Sequence, residues 1–159
     1  MVEKTQFTLD EAHLHFAKFL NGETWNLLDK EKRTVEDNEL MLAAAFASYY
    51  HWLYAGKEVH RQRGEYMIAR AYLALGNLQE ALSHATRCLE LTDQFKDQME
   101  DFDVAFAYEI VARANAAMGQ LDTAREYKEK AQFAGKMIKD EENRNIFFDD
   151  LNSGSWFNL

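Results

Sequence analysis

Two arginines, Arg70 and Arg113, stand 43 residues apart in matching contexts. Around the first lie Arg63, Tyr66 and Met67, and around the second Phe106, Glu109 and Ile110. Each set has the spacing i, i+3, i+4, i+7, which places its members on one face of a helix. Guanidinium groups suit carboxylates, which they hold through paired, charge-assisted hydrogen bonds. In a chain of net charge −9 they would also create a local field opposed in sign to the whole. The same residues permit an internal arrangement. Glu109 precedes Arg113 by four positions, the spacing of a helical ion pair, and Arg70 lies within reach of Glu65 or Glu109. Ligand capture and internal pairing both remain open at this level.

Other residue pairs carry weaker chemistry. His84 and Cys88, four apart, can present an imidazole and a thiolate to zinc or copper(I). A small buried cysteine is equally a packing residue, and no second pair stands at matching spacing. His51, between Tyr50 and Trp52, reads as a hydrogen-bonded residue on an apolar helix rather than as an acid or base. No nucleophile elbow, phosphate loop, H-E-x-x-H or dinucleotide fingerprint is present, so no enzyme chemistry, cofactor or metal is expected. The segment Asp149 to Leu159 joins a polar Asn-Ser-Gly-Ser link to Trp156, Phe157 and Leu159. These aromatics either cap an open apolar edge or dock onto a second copy as a homodimer.

The elements that must position these groups are legible in a longer pattern. Gly64–Ala81 (GEYMIARAYLALGNLQEA) is echoed by Ala107–Ala124 (AYEIVARANAAMGQLDTA). Ala69, Arg70, Ala71, Ala74, Gly76, Leu78 and Ala81 recur as Ala112, Arg113, Ala114, Ala117, Gly119, Leu121 and Ala124. Self-similarity of this kind signals a helical-hairpin repeat. Period-two apolar alternation is nowhere sustained, and there is no proline to interrupt a helix. Helices are predicted near 8–20, 24–32, 37–55, 59–75, 78–95, 102–118 and 121–139, with a short or frayed one to about 151. Thr8–Glu11 and Thr34–Asp37 fit capping boxes, Asn77 a further cap, and Gly22, Gly56, Gly76 and Gly119 sit where helices should stop. The segment 37–55 is apolar nearly all round, which predicts an inner helix buried between neighbours. Ala69, Ala81 and Cys88 would allow close helix approach.

At this point the residues resemble a family. Tyr72…Gly76-Asn77-Leu78…Glu80-Ala81-Leu82…Cys88-Leu89-Glu90-Leu91 resembles a tetratricopeptide repeat, and Ala112…Gly119-Gln120-Leu121…Ala124…Tyr127…Ala131 resembles one more weakly. The period exceeds the family's usual length of about 34 residues, with the surplus between Thr92 and Asp103. The closing proline is replaced by Asp93 and Lys136. Tyr50-His51-Trp52, Arg63-Gly64-Glu65 and Asp101-Phe102-Asp103 resemble segments of a group of short bacterial repeat proteins. The resemblance implies an all-α protein of antiparallel hairpins stacked as a short right-handed superhelix, with an N-terminal helical extension. It also implies that the first helix of each hairpin lines a concave groove. On it Arg63, Tyr66, Arg70, Phe106, Glu109 and Arg113 would hold a protein or peptide, through an acidic or C-terminal carboxylate.

Composition sets the outer limits. At 159 residues the chain is long enough for one domain, read here as 1–151 with an aromatic tail over 152–159. The negative charge and a pI near 5.0 weigh against nucleic acid and anionic membrane surfaces. A single cysteine, no apparent signal peptide and no spanning segment favour a cytoplasmic location. The alternative reading is a small-ligand or metal sensor using His51, His84 and Cys88, or a structural homo-oligomer.

Overall fold

The computed structural model describes Lys4 and residues 6–159, and these contain no strand. Seven helices follow one another: α1 (Leu9–Leu28), α2 (Val35–Ala55), α3 (Glu58–Leu75), α4 (Leu78–Gln94), α5 (Asp101–Ala117), α6 (Leu121–Lys136) and α7 (Glu141–Leu151). The protein is all-α. The pairs α1–α2, α3–α4 and α5–α6 pack as consecutive hairpins, and α7 closes the last one by packing on both α5 and α6. α1 meets α3, α3 meets α5 and α5 meets α7, so these four helices form an inner layer, with α2, α4 and α6 outside.

Local chemistry explains most boundaries. Thr8 and Glu11 form the reciprocal capping box of α1, with Glu11 N–H donating to Thr8 Oγ1 (3.2 Å) and Thr8 N–H to Glu11 Oε2 (2.8 Å). Thr34 and Asp37 do the same for α2. Gly76 and Gly119, at φ 76° and 77°, end α3 and α5 in the left-handed region that costs glycine little. Both turns carry the same bonds: Asn77 N–H to Tyr72 O (3.0 Å) and Gln120 N–H to Asn115 O (2.9 Å). The cap expected from the Asn77 side chain is absent; this backbone turn replaces it.

Three boundaries or placements differ from the sequence reading. The helices read at 8–20 and 24–32 are one helix, because Gly22 continues the backbone without a break and Thr24 returns its hydroxyl to Leu20 O (2.8 Å). A mid-helix glycine costs only about 1 kcal/mol, less than packing supplies. Helix α2 belongs to the outer layer rather than the inner one, and Leu40, Tyr50, Leu53 and Tyr54 are exposed on it. Its apolar character serves α1 on one side and α3 on another, which leaves a third side open. α6 ends at Lys136, and Asp140 then caps a regular α7 by accepting Asn143 N–H (2.8 Å). The surplus in the repeat is taken up by the end of α4, a 3-10 turn over Lys96–Gln98 and the link to α5.

The core is built largely from alanine. Ala69, Ala85, Cys88, Ala107 and Ala114 are fully buried with Ile110 between α3, α4 and α5. Small residues bring the backbones close and leave the larger side chains to face the inner surface. A second cluster, Ala105, Ala131, Ile138, Phe147 and Leu151, seats α7. Phe147 packs so tightly on Gly135 that a Cβ there would lie 2.6 Å from the ring's Cδ1.

Candidate ligand groove

Helices α3 and α5 lie side by side in the inner layer and present Arg63, Tyr66 and Arg70 opposite Phe106, Glu109 and Arg113. The six side chains cluster together, but Glu109, expected to face a ligand, lies wholly buried beneath the others. The Tyr66 and Phe106 rings cross edge-on at 5.5 Å. Tyr66 Oη donates to Glu109 Oε2 (3.4 Å) and receives Arg70 Nη1–H (3.2 Å). Arg113 Nε–H is paired with Glu109 Oε1. Ile110 is the exception in its set: it turns into the core, whereas Met67 lines the inner cleft.

Each charged member already has a partner within the chain. Arg63 forms a two-point pair with Asp103 (2.8 and 3.0 Å) and lies over the Phe102 ring. Glu109 is wholly buried, and burial pushes its carboxyl upward against the pull of Arg113 and then Arg70. Burial likewise raises the Tyr66 hydroxyl well above its ordinary value, with Glu109 adding to the shift, so Tyr66 stays a neutral donor. Arg70 is bonded to neither Glu65 nor Glu109. It holds both oxygens of Asp150 on α7 (2.9 and 3.2 Å).

The C-terminal segment completes the surface. Arg113 donates to three main-chain carbonyls: Asp150 O (3.2 Å), Ser153 O (3.1 Å) and Ser155 O (3.0 Å). Trp156 lies between the Arg113 guanidinium (4.2 Å) and Lys128 Nζ (4.1 Å), and its indole N–H donates to Leu151 O (2.9 Å). Trp156 is thus engaged within its own chain, while Phe157 is exposed. Asp150 and the carbonyls after it form a role that sequence reasoning missed. The available signal was the acidic Asp149-Asp150 pair ahead of the Asn-Ser-Gly-Ser link.

Two hollows flank the Tyr66–Glu109 contact. One, of ≈ 350 Å³, is walled by Trp25, Tyr66, Met67, Phe102, Phe106 and Ile146, with Gln62, Arg63, Asp103, Asn21 and Asp150 at its polar edge. The other, of ≈ 250 Å³, lies between Arg33, Arg70, Leu28 and Leu73 and the tail residues Ser153, Gly154, Ser155 and Phe157. The polar floor of the first is fixed from below. Gln62 Nε2–H donates to Thr92 Oγ1 (3.0 Å) and to Asp103 O (3.2 Å), all three residues being buried. The arrangement offers shape, an apolar wall and guanidinium donors.

The other candidates do not converge. His84 donates to Glu65 Oε2 (2.6 Å), and Arg87 also reaches Glu65 (3.2 Å). Burial would raise the Glu65 carboxyl, but those two bonds outweigh it and hold it below its ordinary value. Cys88 is sealed in the core, and burial, then the nearby Glu65, drive its thiol far up, which suits packing rather than metal binding. His51 sits elsewhere, on α2, sharing a hydrogen bond with His13 (Nδ1 to Nδ1, 2.9 Å). Among the described residues no group of three or more His, Cys, Asp or Glu is placed to hold a metal ion. No helix among the described residues is long and apolar enough to cross a membrane. In comparisons with protein-family models, curated proteins and solved structures, the chain matches none.

Proposed function

We propose that this chain is a non-enzymatic module of tetratricopeptide-like build that binds a protein or peptide along the inner surface of α3 and α5, in a bacterial cytoplasm. The observation that supports this reading most is Arg70 and Arg113 themselves. Side by side, they hold a carboxylate and a run of main-chain carbonyls, which are the groups that an acidic peptide presents. The apolar wall of Trp25, Tyr66, Met67 and Phe106 beside them supplies contact area for a side chain.

The test is affinity capture with wild type and an Arg63→Ala/Arg70→Ala double variant, which leaves the buried Glu109–Arg113 pair intact. Circular dichroism checks that both are folded. Capture by wild type that falls about tenfold or more in the variant, and weakens with salt, is the expected result. Equal capture by a folded variant removes the groove from the reading. A small-ligand sensor is the second reading, favoured by the ≈ 350 Å³ hollow, a size typical of small-molecule sites. Native mass spectrometry of freshly purified protein separates the two, since only a sensor would carry a stoichiometric small molecule.

A further inference from the structure

We propose that Asn152–Leu159 is a tethered occupant of the Arg113 end of the groove, and that the partner is a peptide of the same chemistry. Such a peptide carries a glycine-centred turn that exposes carbonyls on either side of it, followed by a tryptophan. This rests on the binding reading above and specifies its ligand class.

Recognition of the tail is specific. Arg70 fixes the end of α7, from which the tail departs, by holding the Asp150 carboxylate; Arg113 then reads the Ser153 and Ser155 carbonyls rather than side chains, so it selects one backbone path. That path requires glycine at position 154. Gly154 has φ 69°, and a Cβ there would come within 3.2 Å of Arg113 Nη1. The Trp156 indole then fills the space between two cations and satisfies its own N–H. Turn and aromatic are thus read by separate devices.

Retention of the tail is weak by comparison. Beyond Leu151 no residue is buried; Asn152 to Ser155, Phe157 and Asn158 are exposed. Phe157 holds a positive φ (52°), a conformation disfavoured for a bulky side chain. The ≈ 250 Å³ recess between the tail and Arg33, Leu28 and Leu73 leaves room beside it. α7 does not depend on the tail, since Phe147 on Gly135 and the buried Leu151 anchor it. The tail can therefore leave while the last hairpin stays closed, and a peptide in trans can take its place.

The probe is a fluorescein-labelled synthetic peptide with the sequence of residues 152–159, titrated by fluorescence anisotropy. Three proteins are compared: wild type, a chain ending at Leu151, and full-length Gly154→Val, which expels the tail without altering any groove side chain. A tethered competitor at millimolar effective concentration should weaken the wild-type response about 10- to 100-fold relative to both variants. Replacing the peptide's tryptophan by alanine, or its glycine by valine, should weaken binding to the variants. Equal affinity for all three proteins, or no peptide binding by folded variants, overturns the proposal. If the shortened chain fails to fold, Gly154→Val alone carries the comparison. Capture of a partner that depends on Arg63 and Arg70, with no peptide binding by the variants, would defeat this inference and leave the groove function standing. Loss of both would defeat the two together.

Discussion

The hairpins α3–α4 and α5–α6 share their alanines and turn glycine, yet they set their common arginine in different surroundings. Arg70 keeps 23% of its side chain exposed and holds a carboxylate brought from α7. Arg113 keeps 8%, sits over the wholly buried Glu109 and is roofed by the tail. Tyr66 occupies the position that Glu109 takes in the second copy, and the two are bonded to each other. Thr92, which fixes Gln62, corresponds to Gly135, which admits Phe147. Repetition supplies the frame. Substitutions at equivalent positions give one copy an accessible cation and the other a buried one.

The largest expected break in this comparison is Arg113→Ala. It leaves Glu109 buried without its countercharge and frees the Ser153 and Ser155 carbonyls, a loss of about 3–5 kcal/mol by urea unfolding. Arg70→Ala should cost less, about 1–2 kcal/mol, because Arg70 and Asp150 are both partly in water. Equal losses would contradict the assigned difference in depth. Next is Gly135→Val, which forces Phe147 off α6 and should cost about 1–3 kcal/mol with loss of protection in α7 by hydrogen exchange. Unchanged protection in α7 would refute the seating described.

The turn glycines sharpen the comparison from the other side. Gly76→Ala and Gly119→Ala should each cost about 1–2 kcal/mol, and by the same amount, because both have positive φ and open space around the missing Cβ. Unequal melting temperatures would show that the two turns are not equivalent.

The smallest effect concerns pH. His60 and Asp103 hold the same place in the two copies, accepting Lys57 N–H (2.9 Å) and Glu100 N–H (3.0 Å) at the starts of α3 and α5. Burial, then the charges of Arg63 and Lys57, push the His60 imidazole below its ordinary value. The unfolded chain therefore binds more protons in that window, so the stability supplied by neutral His60 is full above about pH 6.5 and falls as pH drops through the depressed value. The protection of amides at the start of α3, taken relative to their intrinsic exchange rate, should fall between pH 7 and 5 and lose that pH dependence in His60→Gln. A start of α3 insensitive to acid in wild type would remove His60 from the cap.

Those features were legible whose causes are local. Thr8–Glu11 and Thr34–Asp37 cap within four residues, and the Gly76 and Gly119 turns follow from backbone sterics. Gly22 was misread because one disfavoured residue cannot end a helix that Ala17, Thr24 and Leu27 bury along its length. The outward side of α2 was hidden for a related reason: apolar residues on all sides state an affinity for cover without saying which neighbours exist. At the groove, helical spacing indicated that Arg63, Tyr66 and Arg70 share a face, as do Phe106, Glu109 and Arg113. It gave no means of finding Asp150, because no periodicity links Arg70 to a residue 80 positions away.

That long link bears on how the molecule comes apart. In a linear array each repeat touches only its neighbours, so strain can fray the ends one unit at a time. Here the Arg70–Asp150 pair ties the final helix back to the second hairpin, over the top of the third. Opening α7 therefore disturbs α3 as well, and the two should exchange amide hydrogens with a common opening free energy rather than in sequence. A chain written as separable modules thus carries a tie between its second hairpin and its last helix, through a single carboxylate.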